Sequence, residues 1–135
     1  MATSPTARTL DLLRREGFIA AVVEKWLPRV NLRQDVWGFG DVLAANPVNR
    51  VVLLIQATTA DNVAHRLAKA KGKPELAAWL RSGGRFEVHG WALRGGRWHV
   101  RRVAVQAEDL AGIVVAELPR RRRLRKGERQ RELFE

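Results

Sequence analysis

The stretch Asp41-Val42-Leu43-Ala44-Ala45-Asn46-Pro47-Val48-Asn49-Arg50-Val51-Val52-Leu53-Leu54-Ile55-Gln56 decides the fold. It holds two apolar runs joined by Asn46-Pro47-Val48-Asn49, whose residue types favour a tight turn. The first run closes a strand expected over Val36–Ala45, kinked at Gly38 and Gly40. The second gives a strand over Arg50–Ala57, apolar enough to lie in the middle of a sheet. Such a strand buries both faces, so polar groups at its ends need a reason to be there. Asp41 opens the first run and Gln56 finishes the second.

Upstream, Ser4 or Thr6 can cap a helix that runs to about Glu16, with Leu10, Leu12 and Leu13 as its apolar stripe and Gly17 as its end. Phe18–Trp26 is rich in Ala, Val and Ile and reads as one strand, closed by Pro28. Asn31–Asp35 reads as a polar connection. Downstream, Thr59 suits the N-cap of a helix over Ala60–Lys71, and Pro74 suits the first turn of a helix over Pro74–Arg81. Gly95-Gly96 joins strands expected over Arg85–Arg94 and Arg97–Val105, a strong hairpin signal. Ala107–Glu117 fits a helix at its start and a strand at Ile113-Val114-Val115. The order of helix, three strands, helices and two strands implies an α/β fold with a mixed sheet flanked by helices.

Composition sets the chemistry. The 135 residues suffice for one core, placed in 1–118, followed by a basic tail over 119–135. There is no cysteine, which excludes disulfides, thiolate nucleophiles and Cys-based zinc sites. No apolar run approaches the roughly 20 residues of a membrane span, and Met1–Arg8 has no signal-peptide core, so a cytoplasmic protein without a membrane partner is expected. The net charge is +11. The tail holds eight basic and three acidic residues, a charge of +5, and the preceding 118 residues carry +6. An excess spread over body and tail attracts a polyanion. Of the 25 basic residues 20 are Arg, which suits bidentate phosphate contacts, although a GC-rich genome gives the same ratio.

Phosphodiester hydrolysis with a divalent ion needs hard oxygen ligands brought together. Neighbouring strands, about 4.8 Å apart, can do this. Glu24, Asp41 and Gln56 stand on three successive expected strands, with Asp35 in reserve. In this arrangement the chain resembles the PD-(D/E)XK nuclease superfamily, including the archaeal-type Holliday junction resolvases. The resemblance covers roughly Thr6 to Val105. It rests on the order of elements, on Asp41 within Gly38-Phe39-Gly40-Asp41-Val42-Leu43, and on Gln56-Ala57-Thr58 where a D/E-x-K triplet is expected.

The resemblance implies a restriction endonuclease-like αβββαβ core and a DNA endonuclease using Mg²⁺ or Mn²⁺. Selectivity for branched DNA structures and a homodimer belong to the same expectation. Asp41, Gln56 and Glu24 would be the metal ligands, helped by the Ala57 carbonyl. Thr58 would orient the water. Thr58 replaces the family's Lys, which leaves Lys69 or Arg66, one helical turn apart with Asn62 on the same face, to supply the charge. Arg66 and the Arg-rich hairpin (Arg94, Arg97, Arg101, Arg102) would contact phosphates, as would Arg120, Arg121, Arg122 and Arg123 of the tail.

Other readings stay open at this level. Asp41 equally suits a turn in which it satisfies loop amides. The Gln-x-Thr triplet also fits a nuclease fold that binds DNA without cutting it. The basic tail fits a structural or assembly protein that binds RNA or an acidic partner. Trp37 fits either the core or a surface that stacks on a base. His65, His89 and His99 show no metal-ligand spacing.

Overall fold

The computed structural model describes residues 3–110. The expected tail 119–135, with Arg120–Arg123, and the ambiguous stretch beyond Leu110 lie outside the described residues.

Helix α1 (Pro5–Arg15) starts where the sequence says it must. The Ser4 side chain accepts from the Ala7 N–H at 3.1 Å, Pro5 sits in the first turn, and Arg14 and Arg15 face the negative end of the helix dipole. Seven strands follow: β1 (Ile19–Val22), β2 (Lys25–Leu27), β3 (Leu32–Gln34), β4 (Val42–Asn46), β5 (Val51–Thr59), β6 (Arg85–Arg94) and β7 (Arg97–Val105). Between β5 and β6 run a 3₁₀ turn (Ala60–Asn62), α2 (Val63–Lys71) and α3 (Pro74–Arg81). A last 3₁₀ turn covers Ala107–Leu110.

The fold is mixed α/β. Five strands form one sheet in the order β1-β4-β5-β6-β7, and β2 and β3 form a separate pair. All neighbours are antiparallel except β5 and β6, which are parallel because two helices carry the chain back across the sheet. The run Leu53–Thr58 of β5 is buried throughout, as a central strand requires. On one face Leu53 and Ile55 pack with Val42, Ala44 and Leu13 of α1. On the other, Leu54 packs with Phe86, Val88 and with Val63, Ala70 and Leu76 of α2 and α3. Gly90 permits this second layer, since a methyl there would meet Val63 Cγ2 at 2.2 Å and Ala60 Cα at 3.1 Å. On this second face α2 and α3 leave β1 uncovered. There Ile19 (73% exposed), Leu43 (39%) and Val52 (43%) leave an apolar sheet face open.

Three expected boundaries are corrected. Phe18–Trp26 is not one strand. The chain leaves the sheet after Val22, and Lys25–Leu27 pairs instead with Leu32–Gln34, part of the stretch read as a connection. Val36–Gly40 is no strand either. Val36 and Gly40 close a tight turn through N–H to O bonds of 2.7 and 3.0 Å, and Trp37 and Gly38 adopt φ of +55° and +82°, outside the range of strands. Thr59 does occupy the N-cap position, without a side-chain cap bond, but the segment after it opens as a 3₁₀ turn and the α-helix begins at Val63 and not at Ala60. The Gly95-Gly96 hairpin forms as expected, with both glycines at positive φ (56° and 75°). Among the described residues no helix is long and apolar enough to cross a membrane.

Candidate metal centre and cationic cleft

Strand β5 runs past the end of β4. Pairing stops at Val42 opposite Ile55, so the Ala57 N–H has no strand partner on that side. An unpaired buried amide costs about as much as a lost hydrogen bond, and Asp41 meets the need. Its two carboxylate oxygens accept from the Ala57 N–H at 3.1 and 3.2 Å, and Oδ2 also accepts from Gln56 Nε2 at 3.1 Å. The Asp41 backbone is fixed as tightly, donating to Ile55 O at 2.9 Å and accepting from the Val23 N–H at 3.0 Å. Asp41 and Gln56, on adjacent strands, are thus brought into direct contact and are both buried. The Gln56 nitrogen is engaged by Asp41, so its carbonyl oxygen is the atom left to offer a ligand.

Two more carboxylates join them. Glu24 follows β1 and Asp35 follows β3, so both stand at the base of the β2–β3 hairpin. One carboxylate oxygen each from Glu24, Asp35 and Asp41 lies within 4.8 Å of the others. Burial pushes the Asp41 carboxyl up to about 8, with the bond from Ala57 opposing and the charges of Asp35 and Glu24 adding to the rise. Glu24 also pairs with Arg33 at 3.1 Å.

The cluster lines a cleft of about 450 Å³ at the end of the sheet, between Thr6 in the first turn of α1 and Arg66 and Lys69 of α2. Arg66 and Lys69 are three residues apart and so share a helix face. The Arg66 Nε is buried without a hydrogen-bond partner among the described residues. Lys73 packs beside the same loop, since a methyl on Gly38 would meet its Cε and Nζ at 3.4 Å.

Comparison with family models, with curated proteins and with solved structures finds no match. What the site does is therefore legible only from its own geometry. The donor set fits a hard divalent cation. Opposed oxygens around Mg²⁺ stand about 4.2 Å apart and around Ca²⁺ about 4.8 Å, so small side-chain rotations close the cluster on either. Three carboxylates held this close repel one another, and a cation offsets that repulsion.

The other expected site residues are dispersed. Thr58 is buried opposite Gly90, in the layer under α2, and does not line the cleft. Arg101 lies in that same cross-strand row, and Arg94 and Arg97 pair beside the hairpin turn. All three are exposed, Arg94 at the end of β6 and Arg97 and Arg101 on β7, the edge strand beyond β6. Arg102 faces α1, on the opposite side of the sheet, where it donates to Glu16 and Glu87 at 2.6 and 3.0 Å. Behind it lies a buried network. Trp91 Nε1 donates to Thr9 Oγ1 at 3.0 Å, Thr9 Oγ1 and His89 Nδ1 are 3.2 Å apart, and His89 Nε2 and Glu87 Oε1 are 2.8 Å apart. Sequence reasoning kept Asp35 in reserve and did not single out Lys73. Only the return of β3 alongside β2 brings Asp35 back to Glu24.

Proposed function

We propose that this protein is a divalent-metal-dependent endonuclease acting on DNA, built on a restriction endonuclease-like core. The observation that carries the reading is the convergence of Glu24, Asp35 and Asp41 beside Gln56 and beneath Arg66 and Lys69. The order α1-β1-β4-β5-α2-β6, with β6 parallel to β5, supports it, since the resemblance noted from the sequence implies that order.

Glu24, Asp35, Asp41 and the Gln56 carbonyl would hold the ion. A bound divalent cation lowers the pKa of a water and stabilises charge on a scissile phosphate. The chain supplies the rest. Asp41 is oriented by two bonds from Ala57 and one from Gln56, so its free lone pairs have a fixed direction. Arg66 and Lys69 bring positive charge to the same cleft and suit the non-bridging phosphate oxygens. They take the part left open by Thr58. The exposed Arg94, Arg97 and Arg101 suit the flanking phosphates, whereas Arg102 is held by two carboxylates.

A plasmid-nicking assay tests the proposal. The wild type is expected to nick supercoiled DNA with Mg²⁺ or Mn²⁺, and Asp41→Asn to lose that activity while keeping its fold. No nicking with either ion, alongside salt-sensitive DNA binding, would instead favour a binding protein. Thr58 in place of a lysine is the observation that favours this second reading.

A further inference from the structure

The β2–β3 hairpin is spliced between two of the three clustered carboxylates, Glu24 and Asp35. Among the described residues it joins no other strand. Its residues 25–34 include Lys25, Arg29 and Arg33 and no acidic residue. They also expose large apolar side chains: Trp26 is 50% exposed, Val30 58% and Leu32 60%. These side chains are displayed to solvent without helping the core.

The register gives the display a direction. Trp26 is paired with Arg33, so indole and guanidinium lie on one hairpin face, about 5 Å apart at Cβ. Arg33 reaches Glu24 at 3.1 Å and lines the cleft, as does Gln34, so the base of the hairpin forms one wall of the cleft and Trp26 stands across from Arg33 beside it. Trp26 follows Glu24 by two residues, about 7 Å of chain. The Arg33 side chain is 67% exposed and has donors beyond the one given to Glu24.

We propose that the hairpin engages a nucleic-acid strand carrying an unpaired base next to the phosphate in the cleft. Trp26 stacks on that base, and Lys25, Arg29 and Arg33 hold the neighbouring phosphates. This rests on the phosphodiesterase reading of the cleft and narrows its substrate to forked, gapped or single-stranded polynucleotides. The alternation of cations with an indole suits a partner that alternates anionic phosphates with π-faces. A fully paired duplex hides its base faces, and opening a step costs a few kcal/mol.

The test uses the full chain in EDTA with three labelled oligonucleotides: a duplex, a single strand, and a forked duplex with 2-aminopurine at the fork. The wild type is expected to bind fork and single strand more tightly than duplex and to change the 2-aminopurine emission on binding. Trp26→Ala should weaken fork binding about ten- to a hundred-fold and abolish the emission change, with duplex binding unaltered. Trp26→Phe should restore part of both. A Trp26→Ala protein that melts like the wild type yet binds the fork equally well, with the same emission change, overturns the proposal. So does a wild type that is dimeric where Trp26→Ala is monomeric, which would give the hairpin to self-association. Asp41→Asn should keep fork binding. An intact emission change with no cleavage under any divalent ion would sink the nuclease reading alone, and cleavage that ignores Trp26 would sink only the hairpin's role.

Discussion

Asp41 holds the backbone N–H of Ala57 with both carboxylate oxygens, at 3.1 and 3.2 Å, across the staggered ends of β4 and β5. One side chain thereby completes the sheet and points a carboxylate into the cleft. The atoms that satisfy the Ala57 amide are the same atoms that the proposed metal site would use.

The raised carboxyl of Asp41 makes stability depend on pH. Its folded pKa, pushed up to about 8, lies above the unfolded value near 4, so the folded chain binds the extra proton between these limits. Stability of the metal-free protein should therefore fall as pH rises from about 4 to 8, by an amount on the order of 3–5 kcal/mol. Denaturant melts in EDTA at pH 5 and pH 8 measure this. Asp41→Asn should flatten the dependence, and Mg²⁺ should flatten it by favouring the ionised form. A wild-type slope that survives in Asp41→Asn would place its origin elsewhere.

Lys69 and Thr58 separate the cleft from the triplet. Lys69→Ala should lower the nicking rate about a hundred-fold if its charge acts on the transition state. Thr58→Val, in the layer under α2, should stay within about threefold of the wild type, because its side chain does not line the cleft. Single-turnover rates at saturating protein give both values. The reverse order of effects would return the catalytic part to the triplet.

Gly90 sets the distance between β6 and α2. Gly90→Ala forces Val63 and the Ala60 backbone away and should cost about 1–3 kcal/mol. Arg66 and Lys69 ride on the displaced helix, so nicking should drop as well. Thermal melts and nicking of the same preparation test the coupling; a stable, fully active Gly90→Ala protein contradicts it.

The network under α1 acts in the opposite pH direction. Burial works against the Glu87 carboxylate, but His89 and Arg102 outweigh it and hold its pKa low. The stability it gives is present above the unfolded carboxyl pKa and is lost as pH falls through the folded one. Glu87→Gln should therefore reduce the acid sensitivity of folding, read from melts between pH 3 and pH 6. Thr9→Val should cost about 1–3 kcal/mol, because Trp91 Nε1 loses its acceptor in a dry site. Nicking should be unchanged in the folded Thr9→Val protein.

The apolar runs around Asn46-Pro47, the Gly95-Gly96 hairpin and the capping of α1 were all legible, because each is written in local chemistry that tertiary packing then reinforces. The contact between Asp41 and Gln56 was half legible: their strands follow from pattern, but the overhang that leaves Ala57 unpaired is a matter of register. The β2–β3 hairpin was hidden. Strands of three residues are too short to show alternation, and Ala20-Ala21-Val22-Val23 reads as continuous with Trp26 until the chain turns away. Asp35 stayed a reserve candidate for the same reason, since only that excursion brings it back to Glu24.

The open apolar face across Ile19, Leu43 and Val52 bears on how copies of the molecule behave toward one another. In dilute buffer a net charge of +11 keeps them apart before these faces can touch. At about 1 M salt the reach of that repulsion shrinks to roughly 3 Å, while the drive to hide hydrocarbon from water persists. High salt thus removes the molecule's colloidal protection, and light scattering across a salt series would detect the crossover.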